Sequence, residues 1–223
     1  MISIRKPKVV LIDLDGTLVD SVPDLAFCID EMMKALGKPV WGIDKVRTWV
    51  GNGVDRLVMR ALTDTLWDDP SEVSFAEAQP IFMKLYADNT CGRSCLYDGV
   101  VEGLDYLKNN GFKLGCVTNK AEAFTVPLLK EMGIFDKFEI VVSGDTTAKK
   151  KPDPMPLLYA AEQLAELPED CLMIGDSMHD VKAARNAGFQ VICVPYGYNH
   201  GLDIRDAEPD QVIDSLAELK NLF

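Results

Sequence analysis

Val9-Val10-Leu11-Ile12-Asp13-Leu14-Asp15-Gly16-Thr17 is a short, mostly β-branched apolar run that ends in two aspartates, a glycine and a threonine. An unbroken apolar run of this length fits a strand buried on both faces of a parallel sheet. Four more runs follow the same pattern, at Leu114–Val117, Ile140–Val142, Leu172–Ile174 and Val191–Val194, with Val212–Ile213 as a weaker sixth. Helical patterns lie between the later runs, at Gly99–Asn110, Ala121–Met132, Met155–Ala165 and Asp180–Ala187. Strand alternating with helix predicts an α/β fold, a doubly wound Rossmann-like parallel sheet.

One interval breaks that rhythm. Residues 21–94 hold no convincing strand, only amphipathic stretches at Pro23–Leu36, Gly53–Leu62 and Phe75–Ala87. A crossover between parallel strands needs only about a dozen residues or more. The surplus predicts an inserted helical cap domain at 21–94, with residues 1–20 and 95–223 forming the core. The alternative is a set of extra helices packed on the sheet itself.

Composition narrows the function classes. The apolar share of 48% and charged share of 26% suit an ordinary globular protein. A net charge of −12 argues against nucleic acid and anionic membranes as partners, because both call for a basic face. An anionic substrate would need a local positive site. No run reaches the about 18 apolar residues of a membrane span, and Met1–Lys8 lacks an apolar signal core, so a cytoplasmic protein is expected. The six cysteines are expected to be reduced thiols. Cys91 and Cys95 form a C-x3-C with no second ligand pair nearby, so zinc is the weaker reading.

Asp13 and Asp15 at the end of a buried strand are costly in desolvation and mutual repulsion. A metal ion or a retained proton relieves both; the plain alternative is a surface turn. Gly16 suits a sharp exit from the sheet. A second buried run delivers Gly175-Asp176-Ser177-Met178-His179-Asp180, in which Asp180 could also simply cap the next helix. A third ends in Thr118-Asn119-Lys120, and Lys149-Lys150-Lys151-Pro152-Asp153-Pro154 places a basic cluster before a rigid helix entry. Ligands of doubly wound sheets bind beyond the carboxyl ends of the strands. Carboxylates, a hydroxyl and a lysine gathered there make a magnesium and phosphate environment.

The ordered set Asp-x-Asp-Gly-Thr (Asp13–Thr17), Thr118-Asn119, Lys151-Pro152 and Gly175-Asp176-Ser-x-x-Asp180 resembles the haloacid dehalogenase superfamily. The resemblance implies strand order 5-4-1-2-3 and a cap inserted after the first strand. It implies a hydrolase of a small anionic phosphate ester, with Asp13 as nucleophile and Asp15 as acid and base. It further implies Mg2+ held by Asp13, the backbone of Asp15, and Asp176, with Thr118 and Lys151 on the phosphoryl oxygens. Asp180 is expected to orient Lys151 or a metal-bound water.

Gly51-Asn52-Gly53 reads either as a helix-to-helix turn or as a cap loop facing the leaving group. Asn119 is a further substrate-binding candidate, and Arg47 and Arg56 each read either as a partner for a substrate carboxylate or as a surface arginine. Tyr198 and His200 read as packing groups, while the direction of His179 stays open. Other phosphate esters, nucleotides or pyrophosphate, sugar phosphotransfer, halide displacement and a non-catalytic binding module are the rival functions. Asp15 speaks against halide displacement, because a halide leaving group needs no proton. The assembly is expected to be a monomer or homodimer.

Overall fold

The structure, a computed structural model, describes residues 4–223; the first three residues of the expected core segment lie outside that range. The parallel sheet contains β1 (Val9–Ile12), β4 (Lys113–Val117), β5 (Ile140–Val142), β6 (Cys171–Gly175), β7 (Gln190–Cys193) and β8 (Gln211–Val212). Their spatial order is β5-β4-β1-β6-β7-β8. This is the expected 5-4-1-2-3 arrangement read from the opposite edge, with the weak sixth strand added beyond the fifth.

Alternation along each strand sorts side chains to the two faces of the sheet. Val10, Ile12, Leu114, Cys116, Leu172 and Ile174 pack with Leu104, Leu107, Leu128 and Leu129, which lie on α5 (Val100–Asn109) and α6 (Glu122–Glu131). Val9, Leu11, Val117, Met173, Val191 and Cys193 pack against α7 (Met155–Gln163) and α8 (Met178–Ala187). Both faces are therefore covered, which explains why the strands read as unbroken apolar runs rather than alternating ones.

The long interval forms α1 (Val22–Ala35), α2 (Ile43–Arg47), α3 (Val54–Thr63) and α4 (Glu72–Asp88). Their apolar faces, including Ile29, Met32, Val58 and Phe82, make a separate cluster with Trp49 from the α2–α3 connection, joined from the core side by Phe124 and Tyr198. The helices form a cap with its own apolar centre. A two-residue antiparallel ladder, β2 (Val19–Asp20) with β3 (Cys95–Leu96), ties the outgoing and returning connections together. Buried Asp24 reinforces this tie by accepting hydrogen bonds from the backbone N–H groups of Arg93 (2.9 Å) and Ser94 (2.8 Å).

No helix among the described residues is long and apolar enough to cross a membrane. Cys28, Cys91, Cys95, Cys116, Cys171 and Cys193 are all free. Among the described residues, the one His/Cys/Asp/Glu group spaced to hold a metal contains neither Cys91 nor Cys95.

Candidate active site

The chain leaves β1 toward β4 on one side and leaves β6 toward β7 on the other, so the switch point falls between β1 and β6. Asp13 follows β1, and its backbone N–H donates to Ile174 O on β6 at 2.9 Å. Asp176 follows β6 directly. Its carboxylate accepts from Thr17 Oγ1 at 3.1 Å and from the Tyr198 backbone N–H. Two glycines make room for it. A Cβ at Gly16 (φ +89°) or at Gly197 would stand 2.3 Å from Asp176 Oδ2, so any side chain at either position would push that carboxylate away.

Asp180 has two tasks. One oxygen accepts from Ser177 N–H (3.1 Å) and Ser177 Oγ (2.7 Å), closing the capping box that starts α8. The other accepts from Lys151 Nζ at 2.7 Å. The same ammonium lies 2.8 Å from Asp13 Oδ1 and donates to Val117 O at 2.8 Å. Asp180 is therefore not the N-cap of α8 but the third-residue partner of the N-cap Ser177, and its free oxygen meets Lys151.

Ligand oxygens of Asp13, Asp176 and Asp180 all lie within 4.8 Å of one another. The side chain of Asp15 is not in this group. Crowding of buried carboxylates shows in their acidities. Burial pushes Asp13 up to about 7, with Lys151 opposing the rise and Asp180 adding to it. Burial, then Asp180 and Asp13, raise Asp176 well above the usual carboxylate range. Burial opposes the charge on Lys151, but Asp13 and Asp180 outweigh it and raise that pKa. An all-oxygen donor set with more negative charge than its one lysine can balance fits a hard divalent cation such as Mg2+. Asp13 and Asp176 could hold the ion, with Asp180 behind Lys151.

Thr118, Asn119 and Lys120 follow β4 and line the same cavity as Asp13, Asp15, Lys151 and Asp176. Asn119 is a structural clamp. Its Nδ2 donates to Lys151 O (3.0 Å) and Gly51 O (3.2 Å), and its Oδ1 accepts from Lys151 N–H (3.0 Å). The adjoining Lys151–Pro152 peptide is cis. Asp15 turns from the three-carboxylate group toward Ser21 Oγ (2.5 Å) and Lys120 Nζ (3.0 and 3.2 Å). Lys120 stood in the sequence only as an amine after Thr118-Asn119; its pairing with Asp15 is visible only in three dimensions.

Leu25, Val50, Gly51, Gly53, Val54 and Leu57 close the cavity from the cap side. Of the cap candidates, Gly51 thus reaches the cavity and Arg56 does not. Arg56 pairs with Asp69 and donates to Leu66 O at 3.2 Å. Arg47 pairs with Asp20 at 3.1 Å, beside the linker ladder. Asn52 faces a neighbouring hollow shared with Arg56, Arg60, His179 and His200. Its Oδ1 accepts from buried Arg60 at 2.7 Å, which leaves Nδ2 to donate to His179 Nε2 at 3.1 Å.

That bond places the imidazole proton on Nδ1. Burial holds His179 down at about 4, in keeping with a neutral ring. His200 Nδ1 meets Thr48 O at 2.9 Å, bracing the cap loop. Tyr198 is more than packing: its Oη donates to Asp20 Oδ1 (2.5 Å) and accepts from Ser21 N–H (2.9 Å).

The fold is that of one hydrolase family. The family model for haloacid dehalogenase-like hydrolases matches residues 7–188, and the chain belongs to that family. Over 220 residues it is 61% identical to the phosphoglycolate phosphatase of Nitrosococcus oceani, covering 99% of this chain and 98% of that one. It is 49% identical over 211 residues to the phosphoglycolate phosphatase of Thiobacillus denitrificans, covering 95% and 93%. The crystal structure of a predicted phosphoglycolate phosphatase from Haemophilus somnus superposes with a TM-score of 0.91 at 35% identity, covering 98% of this chain and 99% of that one. The chain is an enzyme, a phosphoric monoester hydrolase of the kind these relatives represent.

Proposed function

We propose that this enzyme hydrolyses 2-phosphoglycolate to glycolate and phosphate, with Mg2+ and through a phosphoryl group carried on Asp13. The observation that carries the reading is the pairing of Asp13 with buried Lys151 at 2.8 Å inside the cavity closed by the cap. The full-length relatives named for phosphoglycolate support the substrate.

In the first step an Asp13 carboxylate oxygen bonds to phosphorus while the bond from phosphorus to the ester oxygen breaks. The electron pair leaves with that oxygen, which takes a proton from the Asp15 carboxyl. In the second step a water oxygen bonds to phosphorus, the Asp13–phosphorus bond breaks, and the water proton passes to Asp15. Asp15 is thereby reset as an acid. Lys151 and the Thr118 hydroxyl face the three equatorial phosphoryl oxygens, where transition-state charge is spread. A bound Mg2+, held by Asp13, Asp176 and the Asp15 backbone carbonyl, would offset the repulsion between carboxylate and phosphate.

The loop entering α3, at Gly51 and Gly53, is assigned to the leaving-group end of the cavity, with Asn119 joining that loop to Lys151. Asn52 and Arg56 support the loop from behind rather than touching substrate. Residues 21–94 act as the cap domain on a core of 1–20 and 95–223, a division supported by the separate apolar clusters and the linker ladder. Cap opening admits substrate and closure excludes bulk water. A cytoplasmic enzyme, monomeric or homodimeric, acting on no nucleic acid or membrane, completes the reading.

Comparing kcat/KM with Mg2+ for 2-phosphoglycolate, sugar phosphates, nucleotides and pyrophosphate tests it. 2-Phosphoglycolate should rank first; a rank well below another ester would overturn the substrate assignment.

A further inference from the structure

We infer that Lys120 is the positioning residue for proton transfer, holding the Asp15 carboxylate in place and joining it to the cap. This rests on the proposed role of Asp15 as acid and base.

Lys120 is 4% exposed, and its ammonium lies 3.0 and 3.2 Å from the two oxygens of Asp15. Both carboxylate oxygens are thus engaged, which fixes the plane of the group as well as its position. Ser21 Oγ, at the start of the outgoing cap connection, donates to one of the same oxygens. On its other side the ammonium stands 5.0 Å from the ring centroid of Tyr86, on cap helix α4. That is within cation–π range. Tyr86 in turn packs on Phe82 and Phe124, with centroids 5.5 and 4.7 Å away.

The Lys120 backbone is pinned as firmly. Its N–H donates to Thr118 Oγ1 (3.2 Å), and its carbonyl accepts from Gly144 N–H (2.7 Å) and Thr125 Oγ1 (3.1 Å). A long side chain anchored at both ends can define a position that a free carboxylate would not keep.

The site therefore contains two buried lysines with separate duties. Lys151 serves Asp13 and Asp180, beside the phosphoryl-transfer centre. Lys120 has an ion-pair partner in Asp15 and, among the described residues, none in Asp13, Asp176 or Asp180. Removing Lys120 should therefore disturb proton delivery to the leaving oxygen while leaving the attack on phosphorus largely intact. Such a defect depends on the leaving group. Glycolate leaves as an alkoxide and needs the proton, whereas p-nitrophenolate is stable without it.

The experiment measures kcat/KM of Lys120→Met for 2-phosphoglycolate and for p-nitrophenyl phosphate in the same preparation. The ratio of the two values cancels any loss of folded enzyme. The expected result is a drop of about 100-fold for 2-phosphoglycolate and under about 5-fold for p-nitrophenyl phosphate, in the range of acid–base catalysis. Lys120→Arg should recover part of the loss on 2-phosphoglycolate alone. Asp15→Asn is the reference and should show the same selectivity more strongly. If Asp15→Asn is selective but Lys120→Met lowers both substrates equally, the inference is overturned and the role of Asp15 stands. If Asp15→Asn lowers both equally, the acid assignment itself fails, and the Lys120 inference fails with it.

Discussion

Asp13→Asn should abolish turnover with Mg2+ and, in the metal-free protein above neutral pH, raise stability. In the folded chain Asp13 titrates at about 7, against 3.8 for an ordinary aspartate, chiefly because it is buried. A folded pKa above the unfolded one means that the native state binds the extra proton between those values. Stability from this group is therefore complete below about pH 4 and is lost as pH rises through about 7. At about 1.4 kcal/mol per pH unit, that gap sets a ceiling of about 4 kcal/mol.

Asparagine keeps the shape, and its Oδ1 can still accept from Leu14 N–H and Lys151. It weakens the Lys151 contact, because a hydrogen bond to a charged group contributes about 1.5–3 kcal/mol. The net gain expected at pH 8 is about 1–2 kcal/mol, shrinking toward zero near pH 4. Urea unfolding of both proteins in chelator at the two pH values measures it. If Asp13→Asn were no more stable than the parent at pH 8, the strained carboxylate cluster would be refuted as a physical account of the site.

Three further outcomes follow from the same geometry. Lys151→Met leaves Asp13 and Asp180 without their shared cation; breaking such a buried pair should lower stability by about 3–5 kcal/mol in chelator. Saturating Mg2+ should return part of that stability, while turnover stays down by about 100- to 1000-fold; unfolding with and without Mg2+, beside steady-state rates, checks both. Gly16→Ala drives a Cβ into Asp176 at a backbone angle that favours glycine, so calorimetric titration should show weakened Mg2+ binding.

His179, held at about 4 against an ordinary 6.5, binds its proton more readily in the unfolded chain. Its contribution is therefore complete above about pH 6.5 and falls as pH drops toward about 4, by at most about 3 kcal/mol. The partial exposure of the ring reduces that further. His179→Asn should flatten this part of the stability–pH curve measured by urea unfolding.

The sheet was legible because its strands are buried on both faces; Val9–Ile12 and Ile140–Val142 begin and end where the apolar runs do. The site was legible where chemistry follows a strand end directly, as at Asp13, Thr118 and Asp176. What stayed hidden depends on chain segments far apart. Lys120 meets Asp15 across 105 residues and Tyr86 across the cap boundary, and no local pattern reports either contact. Arg56 and Arg60 lie one helical turn apart on α3, so spacing alone could not say which one turns inward. Arg60 is the buried one, braced by Leu66 O and Asn52, while Arg56 pairs with Asp69. The linker ladder and the five-residue α2 are too short to carry a periodic signal.

The central claim is that phosphorus passes through Asp13. Mixing the enzyme with Mg2+ and 2-phosphoglycolate, quenching in acid within one turnover and locating the phosphoryl group by peptide mass spectrometry tests it most directly. The account predicts a phosphorylated peptide carrying Asp13 that is lost in Asp13→Asn. Phosphate release with no labelled peptide, or a label on another residue, would contradict it.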